Sequence, residues 1–227
     1  MSIEERRREE KEQRRTSIVD AAESVLAEKT PETLTMSDVS STARLSRSLL
    51  YVYFEDLNDI AMAVTLRGLQ NLRERFEAAV AAHDIGLWKI RAIGEAYVAF
   101  AHEKPVYFDL VARFEARSAD LEEATDREKA CAAAGDRVME VMTSTISDGI
   151  NDGSIREDLS PTETAVTLWG FMHGVIQLSA HKNQMLKDRH GINPDDLVQQ
   201  ALDLAGVGLT GRAQHPIRRT DMMNPPE

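Results

Sequence analysis

The side chains best suited to chemistry in this 227-residue chain lie between positions 35 and 53. This stretch combines two arginines, two tyrosine phenols and several hydroxyls with the apolar side chain of Leu49. Guanidinium, phenol and hydroxyl groups donate hydrogen bonds to phosphate oxygens and base edges, and leucine can contact a thymine methyl group. The candidate nucleic-acid contacts are Thr35, Met36, Arg44, Ser46, Arg47, Ser48, Leu49, Tyr51 and Tyr53.

Common catalytic and metal-binding spacings are missing from the sequence. None of the six histidines follows a glutamate by three positions, and the motifs of zinc proteases, serine hydrolases and phosphate-binding loops do not occur. The single cysteine, Cys131, excludes an internal disulfide framework and a multi-cysteine zinc site, and its alanine-rich surroundings indicate a small buried residue. We therefore predict no catalytic residue, no metal and no cofactor, and we predict that the chain is not an enzyme.

One glycine motif resembles a dinucleotide-binding fingerprint but lacks its context. Residues 206–211 match G-x-G-x-x-G, yet no strand precedes them and only 16 residues follow. These glycines are more typical of small residues at the end of the last predicted helix.

Two short helices are predicted to position the candidate contacts. A first helix starts at Thr16 and ends near Lys29, with Ile18, Ala22, Val25 and Leu26 forming one apolar stripe. Thr35-Met36-Ser37-Asp38 is a capping signal that opens a second helix of about two turns. Ser46 is a further N-cap and opens a helix over 47–54. Two short helices separated by three or four residues form a helix-turn-helix.

Residues 35–54 also allow two other structural interpretations. The composition of residues 49–54 also favours a β-strand, although no turn or partner strand lies nearby. A further alternative is that the two short helices form a helical hairpin that packs only into the core and does not contact DNA. In the helical interpretation Leu50 and Phe54 face inward against Val39, Ala43 and the stripe of Ile18, which leaves the polar residues on the opposite side.

The charged run at residues 4–15 also has two interpretations. Glu4/Arg8 and Glu10/Arg14 have the spacing of favourable helical ion pairs, which indicates a solvated helical lead-in. Alternatively, the arginines reach DNA phosphates or a minor groove.

The rest of the chain is predicted to be helical, so the fold class is all-α. Pro105, Pro161 and Pro194 stand where helices begin, and Ser160 with Glu163 forms a capping box. The predicted helices span 57–82, 86–102, 105–117, 119–150, 161–188 and 194–209. The predicted domains are a charged arm (1–13), a three-helix helix-turn-helix domain (14–56), an antiparallel helical bundle (57–210) and a flexible tail (211–227), with about nine helices in total.

Net charge alone argues against a nucleic-acid partner, but its distribution does not. The chain carries a formal charge of -11, of which residues 1–54, with 9 basic and 10 acidic side chains, contribute only -1. DNA binding requires a local concentration of cations on one surface and does not require that the whole protein be basic.

Residues 14–62 resemble the DNA-binding domain of the tetracycline repressor (TetR) family of bacterial regulators. The resemblance rests on Thr35, on Val39-Ser40, on Ala43-Arg44-Leu45-Ser46, on Leu50-Tyr51-Val52-Tyr53-Phe54 and on Ile60. Two positions depart from the family pattern, since Arg44 replaces the usual turn glycine and Leu57 replaces a lysine. The resemblance implies a homodimeric and ligand-responsive regulator, most simply a repressor, that binds a double-stranded, pseudo-palindromic operator. The alternative is a dimeric sensor of a small molecule or a partner that has the same fold but binds DNA weakly or not at all. No membrane partner is implied. The charged N-terminal residues, the lack of an apolar run of membrane length and the single cysteine predict a cytoplasmic location.

The resemblance also implies two sites in the bundle. Segments 153–156 and 169–174 are similar to a subgroup with a Trp…His-Gly signature. By the same resemblance the last two long helices form the dimer interface, although these helices could also pack only within one chain. The middle helices are implied to enclose an unknown small-molecule effector, although aromatics at helical spacing also build cores. The implied interface residues are Trp169, Gly170, His173, Gly174, Gln177, Ala201, Ala205 and Gly208. The implied effector contacts are Trp88, Tyr97, Phe100, Phe108, Arg113, Phe114, Met139, Met142 and His173.

Overall fold

The computed structural model describes residues 2–116 and 124–211, and every regular element in these ranges is an α-helix. The all-α prediction is therefore confirmed. Ten helices follow in chain order: α1 (Ile3–Leu26), α2 (Met36–Ala43), α3 (Arg47–Tyr53), α4 (Leu57–Ala81), α5 (Gly86–Glu103), α6 (Pro105–Glu115), α7 (Asp126–Asn151), α8 (Pro161–His181), α9 (Asn183–His190) and α10 (Pro194–Thr210).

The described part of the chain divides into two compact units. The first comprises residues 2–79 and 95–141, and the second comprises residues 80–94 and 142–211. The predicted flexible tail lies outside the described residues from position 212 onward, as do residues 119–123 of the helix predicted over 119–150. None of the described helices combines the length and the apolar character that are needed to cross a bilayer.

Helix α1 is longer than its apolar stripe predicts. It begins at Ile3 because Ser2 and Glu5 form a capping box, in which the Ser2 hydroxyl accepts from the backbone N–H of Glu5 at 3.1 Å. The predicted pairs Glu4/Arg8 and Glu10/Arg14 do not form. Instead Glu10 pairs with Arg6 at 3.1 Å, which leaves Arg8 and Arg14 without an ion-pair partner among the described residues.

The two caps predicted for the short helices are present. The Thr35 hydroxyl accepts from the Asp38 N–H at 3.2 Å, and the Asp38 carboxylate accepts from the Thr35 N–H at 3.0 Å. The Ser46 hydroxyl accepts from the Leu49 N–H at 3.2 Å and opens α3. Residues 47–53 are therefore helical and not a strand, and the predicted helix-turn-helix is confirmed.

The core of the first unit joins α4, α6 and α7. Met62 and Leu69 pack with Val111, Cys131 and Ala134, all of them buried. The Cys131 thiol donates to the carbonyl oxygen of Met62 at 3.3 Å, and burial raises the pKa of this thiol to about 11. Cys131 is thus the small buried residue that the sequence indicates.

In the second unit the start of α5 lies directly against α7. A Cβ atom built on Gly86 would come within 2.2 Å of the Gly149 Cα, so no other residue fits at this contact without a shift of the backbone. Further along α5, Arg91 pairs with Asp203 of α10 at 2.8 Å. Helices α8 and α10 also pack against each other in this unit.

Two helical predictions for the second unit are wrong in detail. The segment 161–188, predicted as one helix, is divided into α8 and α9 at Lys182, whose backbone leaves the helical region (φ -117°, ψ 17°). No proline or glycine marks this break in the sequence. Ser160 is the N-cap of α8, but its side chain makes no capping hydrogen bond, so the predicted capping box is not formed.

Arg44 ends α2 in the left-handed region, with φ 55° and ψ 43°. A side chain in this region is strained because its Cβ crowds the carbonyl oxygen, whereas glycine adopts it freely. We expect Arg44→Gly to raise the free energy of unfolding by about 0.5–1 kcal/mol, after the added freedom of the unfolded chain is subtracted. Urea denaturation measures this change. Arg44→Ala, which keeps the Cβ, is the control, and an equal gain in both variants would contradict the strain argument.

Candidate DNA-binding interface

Helix α3 presents one face to solvent. Arg47 and Ser48 are exposed, and one turn later Tyr51 and Val52 are 57% and 69% exposed. Leu49 and Tyr53, both predicted contacts, are half-buried at the edges of this face. The outward face of α3 is therefore Arg47, Ser48, Tyr51 and Val52.

Val52 is a surface residue of this face that the sequence reasoning missed. It lies four residues after Ser48, so helical spacing alone places the two on one side. A methyl-bearing side chain here offers apolar contact to a thymine methyl group.

The inward face of α3 is fully buried. Leu50 is 0% and Phe54 is 1% exposed, and the predicted packing partners Val39 and Ile18 are both 0% exposed. The predicted inward orientation of Leu50 and Phe54 is therefore confirmed.

Two arginines hold Phe54 from different helices. The guanidinium carbon of Arg15 lies 5.4 Å from the centre of the Phe54 ring, and that of Arg127 lies 5.3 Å from it. Arg127 also pairs with the carboxylate of Asp59, whose second oxygen accepts from the Glu55 N–H at 3.1 Å. The end of α3, the turn after it and the start of α4 are thus tied to α1 and α7.

The hydroxyl of Thr35 is occupied within α2. It donates to the Asp38 carboxylate at 2.7 Å while it caps the helix. Lys29 donates to the other oxygen of Asp38 at 2.8 Å, and these hydrogen bonds from Lys29 and Thr35 hold the pKa of Asp38 below its usual value. Of the other predicted contacts in this part, Met36 is half-buried, whereas Arg44 and Ser46 are exposed.

A polar network joins α1 to α4 and α6. Arg67 donates to Asp20 at 2.7 Å and to Glu23 at 3.1 Å. The Tyr107 hydroxyl donates to the same Glu23 carboxylate oxygen at 2.8 Å. Burial and this carboxylate raise the pKa of Tyr107 to about 12, so the phenol stays protonated and keeps its hydrogen bond at neutral pH.

Several predicted effector contacts belong to the core of the first unit. Tyr97 packs edge-on against Phe76, with ring centres 6.1 Å apart, and lies 5.7 Å from the Phe108 ring. The Phe100 ring stacks on Tyr107 at 6.4 Å. Tyr97, Phe100 and Phe108 are all buried. Phe114 and Met139 are half-buried, and Phe114 packs on the cluster that contains Cys131.

Arg113 lies on the surface and not among the aromatic rings. It pairs with Glu32 of the α1–α2 connection and borders a groove of about 320 Å³. Residues 26–31 line one side of this groove, and Pro105, Val106, Asp109 and Leu110 of α6 line the other. Among the predicted effector contacts, all of which are described, Arg113 alone lines this groove.

The remaining predicted effector contacts lie in the second unit. Trp88 is 51% exposed and Met142 is buried. His173 is half-buried, which lowers the pKa of its imidazole, and its ring centre is 6.3 Å from that of Trp169. The structure thus divides the predicted effector set between two units.

Helices α8 and α10 carry an uncovered surface of apolar and small residues. A Cβ atom added at Gly170, Gly174 or Gly208 would meet no atom within 4 Å, so these positions face open space. Of the other predicted interface residues, Trp169, His173, Gln177 and Ala205 are half-buried, and Ala201 is buried inside its own unit. The exposed apolar side chains of these two helices are Val166, Phe171, Leu178, Leu204 and Val207.

The described ranges contain no cluster of three or more histidine, cysteine, aspartate or glutamate side chains that could hold a metal ion.

Two family models match the chain. Residues 18–64 match the model described as "Bacterial regulatory proteins, tetR family", and residues 90–205 match "Tetracyclin repressor-like, C-terminal domain". The first covers α2, α3 and the outward face described above. A comparison with curated proteins finds no match.

Solved structures share the fold of this chain. A transcriptional regulator of the TetR/AcrR family from Thermobifida fusca is 20% identical with a TM-score of 0.64, over 86% of this chain and 98% of that one. The regulator FadR from Bacillus subtilis in complex with stearoyl-CoA is 18% identical with a TM-score of 0.67, over 85% and 98%. AibR in complex with isovaleryl coenzyme A and operator DNA is 13% identical with a TM-score of 0.63, over 84% and 97%.

The second family model spans 90–205, about half of the chain, and the first spans the helix-turn-helix whose outward face is built from polar donors. The chain therefore belongs to the tetracycline repressor family of ligand-responsive, DNA-binding transcriptional regulators.

Proposed function

We propose that this protein is a homodimeric repressor that binds a pseudo-palindromic operator through α3 and releases it when an effector binds. The observation that carries this proposal is the division of α3 into a fully buried face and an outward face with Arg47, Ser48 and Tyr51. A helix with this division can enter a major groove without loss of its own core contacts.

The proposed mechanism uses binding alone. In the groove, Arg47 donates to guanine or to a phosphate, the Tyr51 phenol donates to a phosphate, and Val52 contacts an apolar base edge. No bond is made or broken, so the protein acts as a regulator and not as an enzyme. Since its target is genomic DNA, we place it in the cytoplasm.

Dimerisation is supported by the uncovered surface on α8 and α10. Leu204 and Val207 are 56% and 66% exposed on α10, and Gly170 and Gly174 give α8 a flat surface. Burial of such apolar area drives association, and a two-fold partner brings a second α3 to the adjacent half-site. Trp169 and His173 lie half-buried on the same helix, and their sequence Trp169…His173-Gly174 is what supports membership of the Trp…His-Gly subgroup.

For the effector we propose the acyl-CoA class. Support comes from the two structures of similar fold that hold stearoyl-CoA and isovaleryl coenzyme A. The residues of this chain add a chemical reason, because an acyl-CoA combines an apolar chain with an anionic group. Arg113, exposed beside the groove, offers a cation to such an anion in competition with Glu32.

Substitutions on the outward face test the DNA contact. We expect Arg47→Ala and Tyr51→Ala each to weaken operator binding by about 1–3 kcal/mol, because each removes donors that reach DNA. Fluorescence anisotropy with a selected operator duplex measures the change, and gel filtration checks that the dimer persists.

Arg189→Ala, at an exposed arginine of α9, is the matched control and should bind as the wild type does. Undiminished binding in both α3 variants would show that another helix enters the groove. The strained turn at Arg44 favours one competing function, a sensor that no longer binds DNA. Wild-type protein that binds no duplex even at low salt would establish that function instead.

Gly174→Leu tests the dimer surface. The added side chain meets open space within its own protomer, so the fold should persist while a facing helix is pushed away. We expect sedimentation velocity to show a monomer. Gly135→Leu on α7, where an added Cβ atom also meets nothing within 4 Å, is the control and should remain dimeric. A dimeric Gly174→Leu protein would place the interface elsewhere.

Acyl-CoA thioesters test the effector class. We expect stearoyl-CoA or isovaleryl-CoA to raise the Kd of the operator complex at least fivefold, the lower end of ordinary allosteric coupling. Competition anisotropy measures the change, with free CoA as the control. Release by neither thioester would assign the effector to another class and leave the DNA contact in place.

A further inference from the structure

The helix-turn-helix itself carries few cations for a DNA-binding surface. Within residues 16–54 the only basic residues are Lys29, Arg44 and Arg47, beside five acidic ones. Lys29 is already paired with Asp38 at 2.8 Å. Because phosphate contacts supply much of the affinity of a DNA-binding protein, two remaining arginines are a small electrostatic contribution.

The helical extension of α1, residues 3–15, supplies cations on one side. Helical spacing places five basic residues on one face, and we call this the basic face of the extension. Its members are Arg7, Arg8, Lys11, Arg14 and Arg15.

Most cations of the basic face form no ion pair. Glu5, Glu9 and Glu12 project from the opposite side of the helix, whereas Glu4 lies on the basic face and Glu10 at its edge, so the face carries five cations beside one acid. Arg6, which lies off the basic face, is the arginine that pairs with Glu10. Among the described residues, Arg7, Arg8, Lys11 and Arg14 form no ion pair, and all four are exposed.

The basic face continues the face of α1 that packs on the helix-turn-helix. Lys11 and Arg14 precede the fully buried Ile18 by seven and four residues, which places all three on one side of the helix. Arg15 already reaches the ring of Phe54, the residue directly after α3. The side of α1 that holds α3 is thus the side on which the cations lie.

We propose that the extension of α1 is a second DNA contact, in which the basic face binds backbone phosphates of the duplex that flanks the site of α3. This inference rests on the proposed function of α3 and adds a partner surface to it. Residues 3–15 extend about 20 Å along the helix axis, the length of about six base pairs. This contact depends on the charge of the backbone phosphates and not on the base sequence.

The triple variant R7A/K11A/R14A tests this contact. Alanine keeps the helix, and the three positions are exposed, so circular dichroism should be unchanged. Affinity for the selected operator is measured by anisotropy between 50 and 300 mM salt. We expect the slope of log K against log salt to be shallower by about 3 for each extension that engages the duplex, since each phosphate contact contributes about 0.9.

Two controls separate local contact from bulk charge. R137A/K187A/R189A removes the same three charges from exposed positions elsewhere and should keep the wild-type slope. Arg6→Ala, on another side of the same helix, should also keep it. Trimming the flanks of the duplex should weaken the wild type and leave R7A/K11A/R14A unchanged.

An unchanged slope in R7A/K11A/R14A would overturn the second contact, and so would an equal loss in the bulk-charge control. Either result leaves the proposed role of α3 intact as long as Arg47→Ala still weakens binding. A wild-type protein that binds no duplex would instead overturn the proposed function itself.

Discussion

The structure of the DNA-binding part depends on the burial of Leu50 and Phe54. Helix α3 has seven residues, and an isolated helix of this length is unstable in water. Its existence and its orientation therefore come from the packing of its inner face on α1 and α2, with Phe54 also held by the guanidinium groups of Arg15 and Arg127. Once that face is buried, helical geometry leaves Arg47 and Tyr51 no orientation except outward.

Hydrogen bonds also tie α4 and α6 to α1, the helix whose Arg15 contacts Phe54 at the end of α3. Glu23 of α1 receives hydrogen bonds from Arg67 of α4 and from Tyr107 of α6. A shift of α6 relative to α1 must break the phenol–carboxylate bond or move α1 with it, and unpaired half-buried carboxylates are costly. Arg113 and Glu32 add a second link between α6 and the α1–α2 connection. These contacts thus couple the position of α6 to that of α1 and of the α1–α2 connection.

Much of this site was predictable from local chemistry. The caps at Thr35 and Ser46 and the inward positions of Leu50 and Phe54 follow from residue type and helical period, and the structure has each of them. Predictions failed where tertiary contacts decide. Lys182 breaks a helix without a helix-breaking residue, and Ser160 stands at an N-cap without a capping bond. Arg113, expected among aromatic rings, instead pairs with Glu32, a residue 81 positions away that no local pattern connects to it.

The net charge of the whole chain is a poor guide to whether this protein binds DNA. The net charge of -11 opposes the approach to DNA, but ordinary salt screens this repulsion beyond about 10 Å. At short range only the charges that face the duplex count. In the proposed complex, the acids on the far side of the α1 extension oppose any other orientation, because such an orientation brings carboxylates to the phosphates. In that proposed complex the acidic surface favours one orientation at the expense of affinity.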